Sequence, residues 1–137
     1  MENPIMEKYT QCGNTSKVQM EFLQHLQNGS LPISEFTHHA HIELAWIMLQ
    51  ANPVQDAMEK VSQIILNYVK KLGAAAKFNR ALTQNSVLLI SKRMHKDLDF
   101  EGFKRNNEDL FDDFKKALML FSLEGSDNRT NTIQILK

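Results

Sequence analysis

From Val54 to Leu72 apolar side chains return every three or four residues without a break: Val54, Ala57, Met58, Val61, Ile64, Ile65, Tyr68, Val69 and Leu72. Only an α-helix gathers such positions onto one face, because a strand needs alternation at every second residue. A stripe about five turns long has to be covered by other elements, so this helix belongs to a packed domain. Asp56 and Glu59 stand near its start and Lys70 and Lys71 near its end, as the helix dipole favours, and Gly73 closes it. The spacing predicts that Ile64 and Ile65 are buried while Glu59 and Lys60 face water.

The rest of the chain reads in the same way. Residues 1–15 form an irregular arm with Pro4 and Gly13. Ser16 opens a helix, with Gln19 at capping-box spacing, a stripe of Val18, Phe22, Leu23 and Leu26, and a stop at Asn28-Gly29. His25 borders that stripe. A second helix starts after Ser34 or Thr37 and ends at Ala51, where Asn52-Pro53 reads as the cap and first position of the Val54 helix. A fourth helix is expected around residues 77–95, polar in its first half and apolar on nearly all sides from Val87 to Ile90. That segment is expected to pack on Leu44 to Leu49. Asp97 or Asp99 caps a short piece carrying Phe100 and Phe103. Asn107 then caps a last helix with Leu110, Phe111, Phe114, Leu118 and Phe121 inward. After residue 121 a polar tail is expected, with Ile133, Ile135 and Leu136 able to fold back. No strand pattern competes. The expectation is an all-α, single-domain bundle of five to six helices over residues 16–121, with an irregular arm and tail.

Lys plus Arg and Asp plus Glu number 16 each, so the formal net charge is zero. Nucleic acid and anionic membranes favour a concentrated positive surface, so neither is an expected partner. Near-zero charge gives little protection against self-association, which keeps a homodimer in view. Cys12 is alone, which excludes an intrachain disulfide and fits a reducing compartment. Without an apolar signal core or a run of ~18 apolar residues, the expected location is the cytoplasm.

The chemistry concentrates between Phe36 and Gln50, which holds three of the five histidines and the only tryptophan. At about 100° per residue, His39, Glu43 and Gln50 share one side of a helix. His41 lies roughly 180° away among Leu44, Ala45 and Met48, with His38 beside it. Two inward imidazoles spaced i, i+3 suit metal ligation or shared proton transfer, since imidazole titrates near neutrality. A metal site wants three or four protein ligands, which spacing on one helix does not supply. The polar start of the fourth helix, with Asn79, Arg80 and Thr83, is either a solvated end or the opposite wall of the same pocket. Phosphate-cradling glycine loops, paired-Cys zinc motifs and calcium loops are all missing from the sequence.

Leu31-Pro32 followed by Phe36-x-His38-x-x-His41-Ile42-x-x-Ala45-Trp46 resembles the signature of a broad group of small, largely uncharacterised bacterial all-helical proteins. The similarity runs in order and spacing from about Leu31 to Phe121. In that group a second motif, Tyr-His-Glu-Thr-hydrophobic-Thr, opens a later helix, and a Phe-rich helix follows. The resemblance implies a cluster of two histidines with a His and a Glu, able to hold a metal. Here the second motif reads Phe78-Asn79-Arg80-Ala81-Leu82-Thr83, so Asn79 and Arg80 replace the His and the Glu. Asn is a poor transition-metal ligand and a guanidinium repels a cation, whereas Arg presents a fork to carboxylate or phosphate.

The sequence therefore predicts a small-molecule-binding protein with its pocket between the second and fourth helices, the ligand anionic if Arg80 reaches it. In an enzymatic version His41 is the general acid/base, His38 orients it or shares the proton, and Arg80 holds the substrate. Asn79, Thr83 and Trp46 complete the binding wall. No cofactor is expected, a transition metal at His38 and His41 being the less favoured arrangement. The alternative is a non-catalytic interaction module that has lost an ancestral metal site and docks on a protein, such as an intact paralogue.

Overall fold

The computed structural model of the protein describes residues 15–131, with side chains through Leu123. Every regular element among them is helical: α1 (Lys17–Asn28), α2 (His38–Ala51), α3 (Val54–Lys71), α4 (Arg80–Arg93), α5 (Phe100–Asn106), α6 (Glu108–Asp112) and α7 (Phe114–Asn131). Short 3-10 turns at Ile33–Glu35 and Ala75–Lys77 precede α2 and α4. The fold is all-α, and among the described residues no helix is long and apolar enough to cross a membrane. Cys12 and the apolar residues Ile133, Ile135 and Leu136 lie outside the described residues.

Helix α2 is the axis of the bundle, packing on both α3 and α4. Leu44, Ala45, Trp46, Ile47 and Met48 are all essentially inaccessible, so its middle is buried all round, as the run Leu44 to Leu49 implies. Helix α3 buries Ala57, Val61, Ile65, Tyr68 and Val69 and leaves Glu59 and Lys60 outside. Ile64 is only half-buried and Leu72 is exposed, while Ser62 is buried instead, so the covered face is centred slightly off the apolar stripe.

Local chemistry explains most element ends. Ser16 and Gln19 form the reciprocal capping box of α1, each side chain lying 3.1 Å from the other's backbone nitrogen. Gln19 Nε2 also donates to Glu43 on α2 at 3.1 Å, tying the two helices together. Gly29 ends α1 in the left-handed region at φ 77°, where an added Cβ would also collide with the Lys71 side chain. In α1 the buried face is Gln19, Met20, Leu23 and Leu26. Val18 is 73% exposed rather than part of the stripe, because the covered face is the one that carries Gln19, Met20 and Leu23, and Val18 points away from it.

Several boundaries differ from the sequence reading. Pro53, not Asn52, is the cap of α3. Asn52 ends α2, donating from Nδ2 to the Met48 carbonyl and accepting from Lys60 Nζ. Helix α4 begins at Arg80 rather than near Lys77, because Asn79 is its cap and accepts from the Leu82 amide at 3.0 Å. The expected last helix is two, α6 and α7. Asn107 turns its side chain to the Phe103 carbonyl and Arg93, and Asp113 caps α7 through the Lys116 amide. Helix α7 continues to Asn131 in place of the expected tail. Gly125 does not stop it, since an interior glycine costs only about 1 kcal/mol and no proline follows.

Candidate functional site

The first residues of α2 are positioned by an aromatic ladder. Thr37 is the cap, its Oγ1 accepting from the Ala40 amide, so His38 is the first helical residue and His41 the fourth. The His41 ring stacks on Phe36 with centroids 4.1 Å apart, and Phe36 meets Tyr68 of α3 edge-on at 4.8 Å. The Tyr68 hydroxyl then donates to the buried Leu31 carbonyl at 2.7 Å. These contacts hold the turn before α2 against α3.

His41 is therefore half-buried at the end of the bundle rather than at the centre of its core, and His38 is exposed. Their rings stand edge-on with centroids 6.3 Å apart. His39 is exposed as expected, with one edge against Phe111 at 4.9 Å. His41 Nδ1 lies 2.8 Å from the Thr37 carbonyl oxygen. A carbonyl only accepts, so Nδ1 carries the hydrogen, and Nε2 is the lone-pair nitrogen of the neutral ring. Burial holds the His41 pKa below the ordinary 6.5. The Thr37 carbonyl opposes that shift, and the charge of His38 adds to it. The neutral form, able to accept a proton at Nε2, is thus favoured near neutral pH.

Both imidazoles border a cavity of about 540 Å³ that is partly open to solvent. Its floor is apolar and buried, formed by Ala45 of α2, Val61 and Ile65 of α3 and Val87 of α4. Helix α7 closes a further side with Phe114 and Leu118, and the Phe114 ring lies 6.0 Å from that of His38. Asn79, Thr83 and Ser86 bring polar groups from α4. Of the seven large apolar residues that are exposed among the described residues, Ile33, Leu72 and Leu82 line this opening.

The expected site residues divide. His38, His41, Asn79 and Thr83 border the one cavity. Arg80 does not: its guanidinium runs outward over Phe78 to an ion pair with Glu59 at 3.6 Å, both side chains well exposed. Being one residue past the cap turns it away from the side that Asn79 and Thr83 share. Trp46 is also elsewhere, fully buried with its ring 5.4 Å from Phe100. It lies five residues beyond His41, too far around the helix to share its face. Lys77, Phe114 and Lys115 also line the cavity; the sequence marked Phe114 only as an inward core residue and did not mark the two lysines. The available signal was Asp113, a capping residue just before Phe114, which would have placed Phe114 and Lys115 at a helix start.

Among the described residues no group of three or more His, Cys, Asp or Glu side chains is arranged to hold a metal. Among those residues His38 and His41 are a pair without a third ligand. What the arrangement offers is a neutral proton acceptor, a few hydrogen-bonding groups and a large apolar wall.

No family model, no curated protein and no solved structure matches this chain.

Proposed function

We propose that this chain is a small-molecule-binding helical protein whose ligand sits in the cavity walled by α2, α3, α4 and α7. His41 is its acid–base group. One observation carries the reading: His38 and His41 share a single opening with Asn79 and Thr83, over an apolar floor. The size supports it too, since ligand sites commonly run from about 300 to 1,000 Å³.

In the catalytic form of this reading, His41 Nε2 takes a proton from the bound molecule while Nδ1–H stays on the Thr37 carbonyl. That bond stabilises the imidazolium; burial and the charge of His38 oppose it. The lowered pKa leaves the ring neutral and ready to accept, and makes the imidazolium the readier donor when the proton is returned. His38 relays protons to solvent from its exposed position. The outward ion pair of Arg80 with Glu59 gives no support to Arg80 as the substrate clamp. Kinship with the bacterial helical group and a cytoplasmic location belong to the same proposal, the first supported by the Phe36 to Trp46 motif and the second by the solitary Cys12.

A second reading, a protein-interaction module, is favoured by Met119, Leu120 and Leu123, which are each at least half exposed on α7. Thermal-shift screening against metabolites separates the two. A rise of several degrees with one chemical class supports the cavity. Concentration-dependent assembly with no ligand response supports the module and contradicts the proposal.

A further inference from the structure

We infer that the cavity takes an amphiphilic monoanion: a molecule with an apolar body and one carboxylate-like head, the head lying at the lysine-bearing mouth. This rests on the cavity being a binding site and adds the class of ligand.

The charge of the lining is one-sided. Among the described residues, Lys77 and Lys115 are its charged side chains, two imidazoles accompany them, and no Asp or Glu lines it. Neither lysine makes an ion pair among the described residues. Two nearby carboxylates lie outside the lining. Asp113 is the cap of α7, and Glu35, in the turn before α2, acts on the Tyr68 hydroxyl. A binding mouth for a cation or a neutral molecule has no use for that arrangement.

Helix ends add to the same sign. First-turn or capping residues of three helices line the cavity: His38 of α2, Asn79 of α4, and Phe114 with Lys115 of α7. These helices have 14, 14 and 18 residues. The N-termini of α2 and α4, capped by the neutral Thr37 and Asn79, each carry the equivalent of about half a positive charge, which favours an anion placed within the first turn, whereas the Asp113 carboxylate already meets that of α7. The 6.0 Å separation of the His38 and Phe114 rings draws the α2 and α7 ends together.

The remaining surface selects against a bare inorganic anion. Ile33, Leu72 and Leu82 expose apolar area at the opening, and Ala45, Val61 and Val87 continue it inward to a buried floor. Only a ligand that carries its own apolar body covers both. A carboxylate at the mouth, with its chain running over these side chains, matches charge and hydrophobicity together.

Three probes with one tail and different heads test this: decanoate, decanol and decylamine, titrated calorimetrically at about pH 7.5, where the first is anionic and the last cationic. The expected order is decanoate tightest, by about tenfold over decanol, with decylamine weakest. In the Lys77→Gln, Lys115→Gln double variant, exposed positions that leave the fold intact, decanoate falls toward decanol while decanol changes by less than about twofold. Decanol binding as tightly as decanoate, or a decanoate preference untouched by the double variant, overturns the inference and leaves the cavity reading standing. Saturable binding of none of the three overturns both.

Discussion

Ile65 and Ile47 are both buried, at 5% and 0% exposure, yet truncating them should cost very different amounts. Each isoleucine-to-alanine change removes three carbons, worth about 2.4 kcal/mol at ~0.8 kcal/mol per buried methylene. Where the hole left behind is enclosed, a further term of up to about 2 kcal/mol follows, because surrounding atoms relax only partly. Ile47 is surrounded by core and does not line the cavity, so Ile47→Ala should cost about 3.5–4.5 kcal/mol. Ile65 lies on the cavity wall, so its missing atoms enlarge a space that already reaches solvent. Ile65→Ala should cost about 2–2.5 kcal/mol. Urea unfolding followed by far-UV circular dichroism gives both values, with unchanged slope as the check that the denatured state is the same. Equal costs would refute the cavity at this position. A loss for Ile65→Ala within roughly 0.5 kcal/mol, the surface range, would refute the assignment of the α3 face itself.

Tyr68→Phe strands the buried Leu31 carbonyl and should destabilise by about 1–3 kcal/mol in the same assay. Desolvation holds both His41, half-buried, and His39, exposed but with one edge against Phe111, below the ordinary 6.5, so the unfolded chain takes up protons that the folded chain resists. Stability should therefore fall as pH drops through 6.5 and level off below the folded values, and His41→Gln should reduce that fall. Burial raises Glu43 instead. Between 4.5 and its folded value the folded chain holds the extra proton, so Glu43→Gln should stabilise the protein above that window, where the wild-type carboxylate is charged. Protein purified without a histidine tag should carry no stoichiometric metal, and elemental analysis finding about one transition ion per chain would contradict the pairing of His38 and His41 alone.

The sequence made some features plain and hid others for physical reasons. Helix α3 is legible because one face is dry and the other wet, so its period survives in the composition of the chain. Helix α2 is buried nearly all round from Leu44 to Met48, and there the angular position of His41 has no apolar stripe to be measured against. Its depth depends instead on where the helix starts. Ser34 and Thr37 are equally good caps by residue type, and the Phe36 stack that accompanies Thr37 is a tertiary contact. The break at Asp113 was masked because the apolar spacing from Leu110 to Phe121 runs straight through it. Asn79 and Thr83 were recognisable as a polar helix start, but the outward turn of Arg80 follows from the helix starting just after Asn79, whereas residue type alone also allowed a start near Lys77. Lys77 and Lys115 lie 38 positions apart in elements that meet only through the fold, and nothing local marks them as neighbours of one cavity.

The side-chain nitrogen signals of His41, assigned with a His41→Gln control and followed by long-range proton–nitrogen NMR, test the central claim most directly. In the free protein near neutral pH the account predicts a neutral ring protonated on Nδ1, the form imposed by the Thr37 carbonyl. Adding decanol or decanoate should then shift the Nε2 signal in a saturable way, with Nδ1 still protonated. A ring protonated on Nε2 in the free protein, or bound ligand that leaves His41 unmoved while resonances far from Ala45, Val61 and Val87 respond, would contradict it.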